Sequence, residues 1–183
     1  IIHGNAISNA IEDNGGNGIA LQIETGGEVD FGTTASNRMI KGNTITGNGG
    51  AGIRLASNVT ATTENLMRAT VLGNTLSNNV SGGIISNQFG PNHTPPALPG
   101  VQDNNRLFLT VGGTATSDNN VINANGDAGI GVRVTGNSSA VVNLTNTTVT
   151  GTVDGPDSEL DGDGINLRRE DSSLLTASLN RVT

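Results

Sequence analysis

The densest set of chemically reactive side chains in this sequence is an acidic run near its carboxyl end. Asp157, Glu159 and Asp161 alternate along the chain, and Asp163 follows shortly after. Carboxylate oxygens at alternate positions can converge on one hard cation, and calcium is the cation that such a loop favours. The glutamate that would close the loop is missing, because Arg168 occupies its position. The alternative interpretation is a solvated acidic corner, in which Asp161 and Asp163 only form a turn.

Three arginines form a second candidate site, because each follows an isoleucine at strand spacing. Arg54 comes one residue after its isoleucine, whereas Arg133 and Arg168 come three residues after theirs. In an extended strand these offsets point away from the isoleucine side chain, so the guanidinium groups are expected on a solvent face. They could bind a polysaccharide, or they could be solvated residues that limit aggregation of the sheet. His93, in a proline-rich stretch, is either a lone loop histidine or part of a binding site.

No catalytic residue can be assigned from the sequence. Hydrolysis by paired carboxylates would need two acids on opposite sides of a cleft, and spacing alone does not reveal such a pair. A serine nucleophile would need a histidine base close by, but His3 and His93 have no recognisable partner pattern, and cysteine is absent. An enzymatic function therefore remains possible, but no residue pattern in the sequence supports it.

Composition excludes several classes of protein. The chain of 183 residues has a net charge of −7, which is not the electrostatic pattern of a nucleic-acid binder. Lys41 is the only lysine, and no apolar run approaches the roughly 20 residues that a membrane-spanning helix needs. With no Trp or Tyr and 27 Gly, the core must consist of Ile, Leu and Val, which suits a thin stack of strands.

A repeated phrase indicates the elements that must position these residues. Each copy has a Gly-Asn-x-Ile-like segment, a Gly- and Asn-rich turn, and Gly-Ile followed by alternating apolar residues. The first segments are residues 4–7, 42–45, 73–76, 119–122 and 147–149, and the second are residues 18–21, 52–55, 83–85, 129–132 and 164–167. A further strand-like stretch precedes each new copy, and such units bury their apolar faces only by stacking. We therefore predict an all-β solenoid of about five coils, with three short strands per coil and negligible helix.

The copy at residues 42–55, GNTITGNGGAGIRL, resembles the repeat of the pectate-lyase-like β-helix superfamily and of related bacterial surface proteins. The resemblance covers nearly the whole chain. It implies a right-handed parallel β-helix, an extracellular or cell-surface location in a bacterium, and a sheet whose face and loops can form a saccharide cleft. Because enzymes, adhesins and inert stalks share this repeat, the resemblance carries over no catalytic residue.

The period of two also predicts which side chains meet inside the stack. The isoleucine after each second glycine should form one continuous internal ladder, comprising Ile19, Ile53, Ile84, Ile130 and Ile165. Two positions further on, Ser86 replaces an apolar residue and predicts a local defect. The asparagines of the first segments, Asn5, Asn43, Asn74 and Asn120, are expected at strand starts, where their amides can pair with the next copy.

Three insertions interrupt the repeat at residues 25–37, 58–66 and 87–105, and we expect them to project as long loops from one flank. Because both ends fall within a repeat, residues 1–183 are interpreted as a single domain excerpted from a longer chain. Open ends of such a stack predict end-to-end association.

The preferred function is a structural or carbohydrate- or partner-binding segment of a secreted or surface protein. The main alternative is a fragment of a polysaccharide lyase or glycoside hydrolase acting on an acidic polysaccharide. An ice-binding, flat-face protein is a third class. It requires regular threonine ranks, and the threonines at residues 33–34, 60, 62–63 and 114–116 share no one spacing.

Overall fold

The computed structural model of the chain describes residues 2–23, 27–32, 38–58, 64–89, 105–154 and 162–183. These residues are almost entirely β-structure, and the paired strands run parallel. Helical structure in this part of the chain is confined to a short 3-10 helix, Thr116–Asp118. The prediction of an all-β protein with negligible helix is therefore confirmed, as the alternation of apolar residues indicated.

The strands are short and follow one another closely along the chain. In order they are β1 (Ile2–His3), β2 (Ala6–Ile7), β3 (Ala10–Glu12), β4 (Ile19–Ile23), β5 (Glu28–Phe31), β6 (Ile40–Lys41), β7 (Thr44–Thr46), β8 (Ile53–Asn58), β9 (Asn65–Leu72), β10 (Thr75–Ser77), β11 (Ile84–Phe89), β12 (Asn105–Val111), β13 (Asn120–Asn123), β14 (Ala128–Thr135), β15 (Ser139–Thr150), β16 (Asp163–Arg169) and β17 (Leu174–Val182).

These strands form a five-stranded sheet and a twelve-stranded sheet. The larger sheet is curled, because residues 139–144 of β15 pair with β12 whereas residues 147–150 pair with β13. We call its first side the long arm; it contains β1, β2, β5, β6, β9, β12, residues 139–144 and most of β17. We call its second side the short arm; it contains β3, β7, β10, β13 and residues 147–150.

The chain visits the three surfaces in a fixed order. After β8 of the five-stranded sheet it enters β9 of the long arm, then β10 of the short arm, and returns to the five-stranded sheet at β11. The pass through β11, β12 and β13 repeats this order, and each of its strands pairs in parallel with the corresponding strand of the pass before. The protein is therefore solenoid-like, with successive passes lying side by side.

The interior contains the predicted isoleucine ladder. Ile19, Ile53, Ile84, Ile130 and Ile165 are paired in register across the five-stranded sheet. The three central members are fully buried, as expected for residues shielded by a neighbour on each side. Full burial of an isoleucine side chain stabilises the fold by about 1.5–3 kcal/mol.

The defect predicted at Ser86 is a buried polar pair. Ser86 lies in register between Leu55 and Val132 and is fully buried. Its hydroxyl accepts a hydrogen bond from Nε2 of Gln88 at 3.0 Å. Oε1 of Gln88 is buried without a hydrogen-bond partner. The apolar column is therefore interrupted by a polar site that costs stability.

Buried asparagines link the passes at the start of each short-arm strand. The backbone N–H and Nδ2 of Asn43 donate to Oδ1 of Asn74 at 2.9 and 2.8 Å. Asn74 donates in the same way to Asn120, at 2.9 and 3.1 Å. All three are at most 1% exposed. The predicted pairing of these amides is confirmed, and it satisfies polar groups that would otherwise be costly to bury.

The first member of this ladder differs from the prediction. Asn9, not Asn5, donates to Asn43, at 2.9 Å from its backbone N–H and 3.0 Å from Nδ2. Ser8 adopts a φ of 56°, in the place where Gly42 has a φ of 66°. The alignment on Gly4 and Asn5 was therefore wrong, because a serine here occupies the left-handed turn position that glycine occupies in the next two copies.

A second ladder follows each short-arm strand. Asn14 donates to Asn48, Asn48 to Asn79, and Asn79 to Asn125, with Nδ2 to Oδ1 distances of 2.9, 2.8 and 2.9 Å. The last three are fully buried. From the sequence these residues were expected only to lie in Gly- and Asn-rich turns. In the structure they fix each corner to the next.

The first of the three predicted insertions contains a strand. The segment 25–37 contains β5, which pairs with β9, so the expectation of one long loop there was wrong. Val29 and Phe31 of β5 are buried in the core. Their burial stabilises the segment Glu28–Phe31 as a strand. The described residues of the other two insertions lie at the ends of strands β8 to β12. Residues 59–63 and 90–104 lie outside the described residues, each between a strand of the five-stranded sheet and the next long-arm strand.

Candidate functional site

The outward face of the five-stranded sheet brings two of the predicted arginines together. Arg133 on β14 and Arg168 on β16 are direct partners in the parallel register. Neighbouring strands lie about 4.8 Å apart, so the two guanidinium groups project from adjacent positions on one face. The prediction that they share one column is confirmed.

Glu170 joins these two arginines, and the sequence analysis missed it. Nε of Arg133 lies 3.1 Å from Oε1 of Glu170, and Nη2 donates to Oε2 at 3.1 Å. Nε of Arg168 lies 2.8 Å from the same Oε1. Glu170 follows Arg168 by two positions, so strand alternation could have placed both side chains on one side. We call Arg133, Arg168 and Glu170 the guanidinium cluster.

The cluster holds its carboxylate in the ionised state. The hydrogen bond from Arg133 lowers the pKa of the Glu170 carboxyl, partial burial opposes this, and the charges of Arg133 and Arg168 lower the pKa further. A bidentate guanidinium bond is geometrically specific as well as favourable. Two guanidinium groups therefore share the carboxylate of Glu170.

Removing the bidentate partner should therefore change the titration of Glu170. We expect Arg133→Gln to raise the pKa of this carboxyl, measured by a pH titration of its side-chain ¹³C resonance by NMR. A group with a depressed folded-state pKa stabilises the fold above its unfolded pKa, and this contribution is lost as pH falls through the folded value. Arg133→Gln should weaken that acid-side dependence of stability. Arg106→Gln, on the long arm, is the matched control, and an unchanged Glu170 pKa in Arg133→Gln would contradict the assignment.

The other predicted site residues do not join this cluster in the described structure. Arg54 is exposed in the same sheet, but it pairs with Ile85 and so lies two positions upstream along the strands. Asp163 accepts a hydrogen bond from Nδ2 of Asn166 at 2.6 Å. His93 and three predicted calcium ligands lie outside the described residues; the latter are Asp157, Glu159 and Asp161. Among the described residues, no three His, Asp or Glu side chains are grouped to hold a metal ion.

A second charged cluster lies on the outward face of the long arm. The ring of Phe108 has the guanidinium of Arg68 5.6 Å from its centroid and that of Arg106 5.5 Å away. Nη1 of Arg68 contacts Oε1 of Glu28 at 2.7 Å, and Nη1 of Arg106 contacts Oε1 of Glu64 at 3.0 Å. Such cation–π contacts contribute about 0.5–1 kcal/mol at exposed sites. Both guanidinium groups are thus engaged with the ring and with a carboxylate.

The sequence did not reveal this second cluster, because Arg68 and both glutamates are distant from Phe108 along the chain. Arg68 and Phe108 become neighbours only through the register between β9 and β12. Glu28 is the first residue of β5, and Glu64 immediately precedes β9. Each ion pair therefore links the start of one long-arm strand to the next long-arm strand.

Two further features bear on partners. A hollow of about 420 Å³ at the end of the stack is lined by Val149, Ile165, Leu179 and neighbouring residues, and the end-to-end association predicted from open ends stays a prediction. A bilayer-crossing helix is not found among the residues that the structure describes.

Comparison of the chain with family models, curated proteins and solved structures finds no match in any of the three.

Proposed function

We propose that the chain is a right-handed parallel β-helix segment of a secreted or cell-surface bacterial protein. In this proposal each pass through the five-stranded sheet, the long arm and the short arm is one coil of three strands. The fixed order of the strands and their parallel pairing support it. A right-handed connection is the hand that parallel strands almost always adopt.

The proposed role of this segment is that of a rigid scaffold which presents a binding surface. The observation that carries it is the pair of asparagine ladders, which tie each coil to the next through side-chain amides. A stack linked in this way holds outward side chains at fixed spacing. Repeat proteins commonly use such faces and their variable loops for recognition.

The guanidinium cluster is the surface that we assign to ligand binding, and its ligand would be an acidic polysaccharide or an anionic partner. Arg133 and Arg168 stand at a fixed separation on a sheet face, and the bond to Glu170 holds both side chains in place. Guanidinium groups bind carboxylates through paired hydrogen bonds, and the uronate groups of acidic polysaccharides carry that anion.

A lyase or hydrolase is the alternative function, with calcium as its candidate cofactor. It needs carboxylates that act on substrate, and Glu170, a carboxylate that the described residues place beside these arginines, is bonded to both of them. A carboxylate held ionised by two guanidinium groups is a poor proton donor at neutral pH. Glu170 is therefore poorly suited to be the proton donor of such an enzyme.

Affinity electrophoresis in gels that contain uronate-rich or neutral polysaccharides tests this proposal. We expect retardation by the acidic polymer, its loss in the double variant Arg133→Gln/Arg168→Gln, and its retention in Arg106→Gln. A parallel assay with calcium for unsaturated sugar products should show no turnover. Turnover would instead support the lyase, and no retardation in any gel would reduce the proposal to a structural scaffold.

A further inference from the structure

The short arm carries ranks of hydroxyl groups that the sequence analysis did not recognise. Register pairs the outward residues into two columns, which from β7 onward are Thr44, Thr75, Val121 and Thr148, and Thr46, Ser77, Asn123 and Thr150. The threonines considered from the sequence, at residues 33–34, 60, 62–63 and 114–116, all lie outside these short-arm strands. We call these eight residues the hydroxyl face.

The hydroxyl face is regular in two directions. Neighbouring strands repeat at about 4.8 Å, and alternate residues along a strand repeat at roughly 6.6 Å. Thr44, Thr75 and Thr148 are exposed, and Val121 is 43% exposed. In the second column, the hydroxyls of Thr46 and Ser77 lie 3.0 Å apart, and Oγ1 of Thr150 donates to Oδ1 of Asn123 at 3.3 Å. The side chains of this column are therefore aligned by bonds between neighbouring strands.

The two asparagine ladders hold this lattice in place. Asn74 immediately precedes β10, and Asn79 follows it by two residues. Both residues bond to the equivalent asparagines of the neighbouring passes. The hydroxyl face is therefore bracketed by buried amide ladders on both sides. Its spacing is fixed before any ligand arrives, which lowers the entropic cost of binding.

Charge distinguishes this face from the other two. The hydroxyl face contains no charged residue, whereas the long arm bears Arg68 and Arg106 and the five-stranded sheet bears Arg54 and Arg133. Only the outermost strand, β3, adds a carboxylate to the columns, at Glu12. A face without charge has no electrostatic attraction for an ionic ligand. A face without an aromatic residue lacks the usual platform for a sugar ring.

From this combination we propose that the hydroxyl face binds the surface of an ice crystal. Threonine offers a hydroxyl that can join a water lattice and a methyl group that limits competing water arrangements. The oxygen atoms of ice repeat in two dimensions at spacings of the same order as those of a parallel sheet. The hydroxyl face would thus hold an ordered layer of water molecules, and this layer would become part of the ice lattice. This binding is separate from the guanidinium cluster, which lies on the five-stranded sheet.

Inhibition of ice recrystallisation and partition into a growing ice hemisphere test this proposal directly. The folded wild-type chain should restrict crystal growth in frozen sucrose solution and should be enriched in the ice fraction. Thr75→Lys, at the centre of the face, should raise the concentration required by about tenfold, a size typical of a central contact position. Asn143→Lys, an exposed change on the long arm, should have no such effect.

Thr75→Val provides a second variant that keeps the branched shape favoured in strands. It should retain the fold, checked by circular dichroism, while it weakens ice activity less than Thr75→Lys does. The proposal is overturned if the folded wild-type chain shows neither activity, or if Asn143→Lys and Thr75→Lys weaken it equally. Retention on crystalline cellulose or chitin with no ice activity would also overturn it, in favour of a carbohydrate face.

Discussion

Substituting Gly112 with alanine is expected to lower the free energy of unfolding by about 3–5 kcal/mol, which combines the cost of a left-handed backbone with that of overpacking. Gly112 has a φ of 77°, which a residue with a Cβ rarely adopts. A Cβ at this position would also collide with the backbone oxygen of Thr145 on the neighbouring pass. That oxygen belongs to the main chain and cannot move aside as a flexible side chain could.

Urea denaturation followed by circular dichroism measures this change. Gly15→Ala is the matched control, because among the described residues, its two chain neighbours aside, no atom would lie within 4 Å of a Cβ at this position, and its φ is not in the left-handed region. The control should change stability little, or raise it by about 0.4–1 kcal/mol through the unfolded state. Equal effects of the two substitutions would contradict the close approach of the two passes.

The second large effect is expected for Asn74→Ala, a loss of about 2–4 kcal/mol from unpaired buried groups. Oδ1 of Asn74 accepts both the backbone N–H and Nδ2 of Asn43, and its own Nδ2 donates to Oδ1 of Asn120. Alanine leaves the buried N–H of Asn43 without this acceptor and breaks the ladder in the middle. It also leaves a cavity that the surrounding backbone cannot fill.

The same denaturation experiment tests this ladder, with Asn143→Ala as control. Asn143 is exposed on the long arm, in the middle of β15. Surface substitutions of this kind usually change stability by less than about 0.5 kcal/mol. If Asn74→Ala costs no more than Asn143→Ala, the amides do not contribute to the stack as described.

Sequence reasoning succeeded where one residue type recurs at an inward position. The isoleucine ladder could be predicted, because Gly-Ile stands at or near the start of every strand of the five-stranded sheet and alternation then fixes the inward side. The ladder that begins at Asn9 was misaligned, because Ser8 replaces the glycine that marks the turn in the next two copies. The pattern therefore gave the right interactions with one wrong member.

The contacts that were not predicted from the sequence depend on the register between strands that are distant along the chain. Phe108 meets Arg68 only because β12 lies beside β9. The threonine ranks were missed because Thr44 and Thr75 become neighbours through pairing, although both stand in the repeated phrase. Two contacts differ, since the offset of two between Arg168 and Glu170, and between Arg106 and Phe108, was visible in the sequence. Register is set by burial and turn geometry together, and single-strand patterns do not specify it fully.

Disulfide formation between introduced cysteines tests the register of the strands directly. The natural chain contains no cysteine that could compete. Paired residues on parallel strands lie about 4.8 Å apart, within the Cα separations that a disulfide accepts. One pair of exposed or outward positions is available on each of the three surfaces: Ala20 with Arg54, Thr44 with Thr75, and Asn143 with Ser178.

Under mild oxidation, each of these three double-cysteine variants should form an intramolecular disulfide rapidly and completely. The offset pair Asn143→Cys with Thr176→Cys should not, because Thr176 is in register with Val141 instead. Non-reducing mass analysis of protease fragments identifies the bonds formed. Efficient bonding on all three surfaces with little in the offset pair is the result that a three-strand coil predicts. Failure of the pairs on any one surface, or equal bonding of the offset pair, would contradict it.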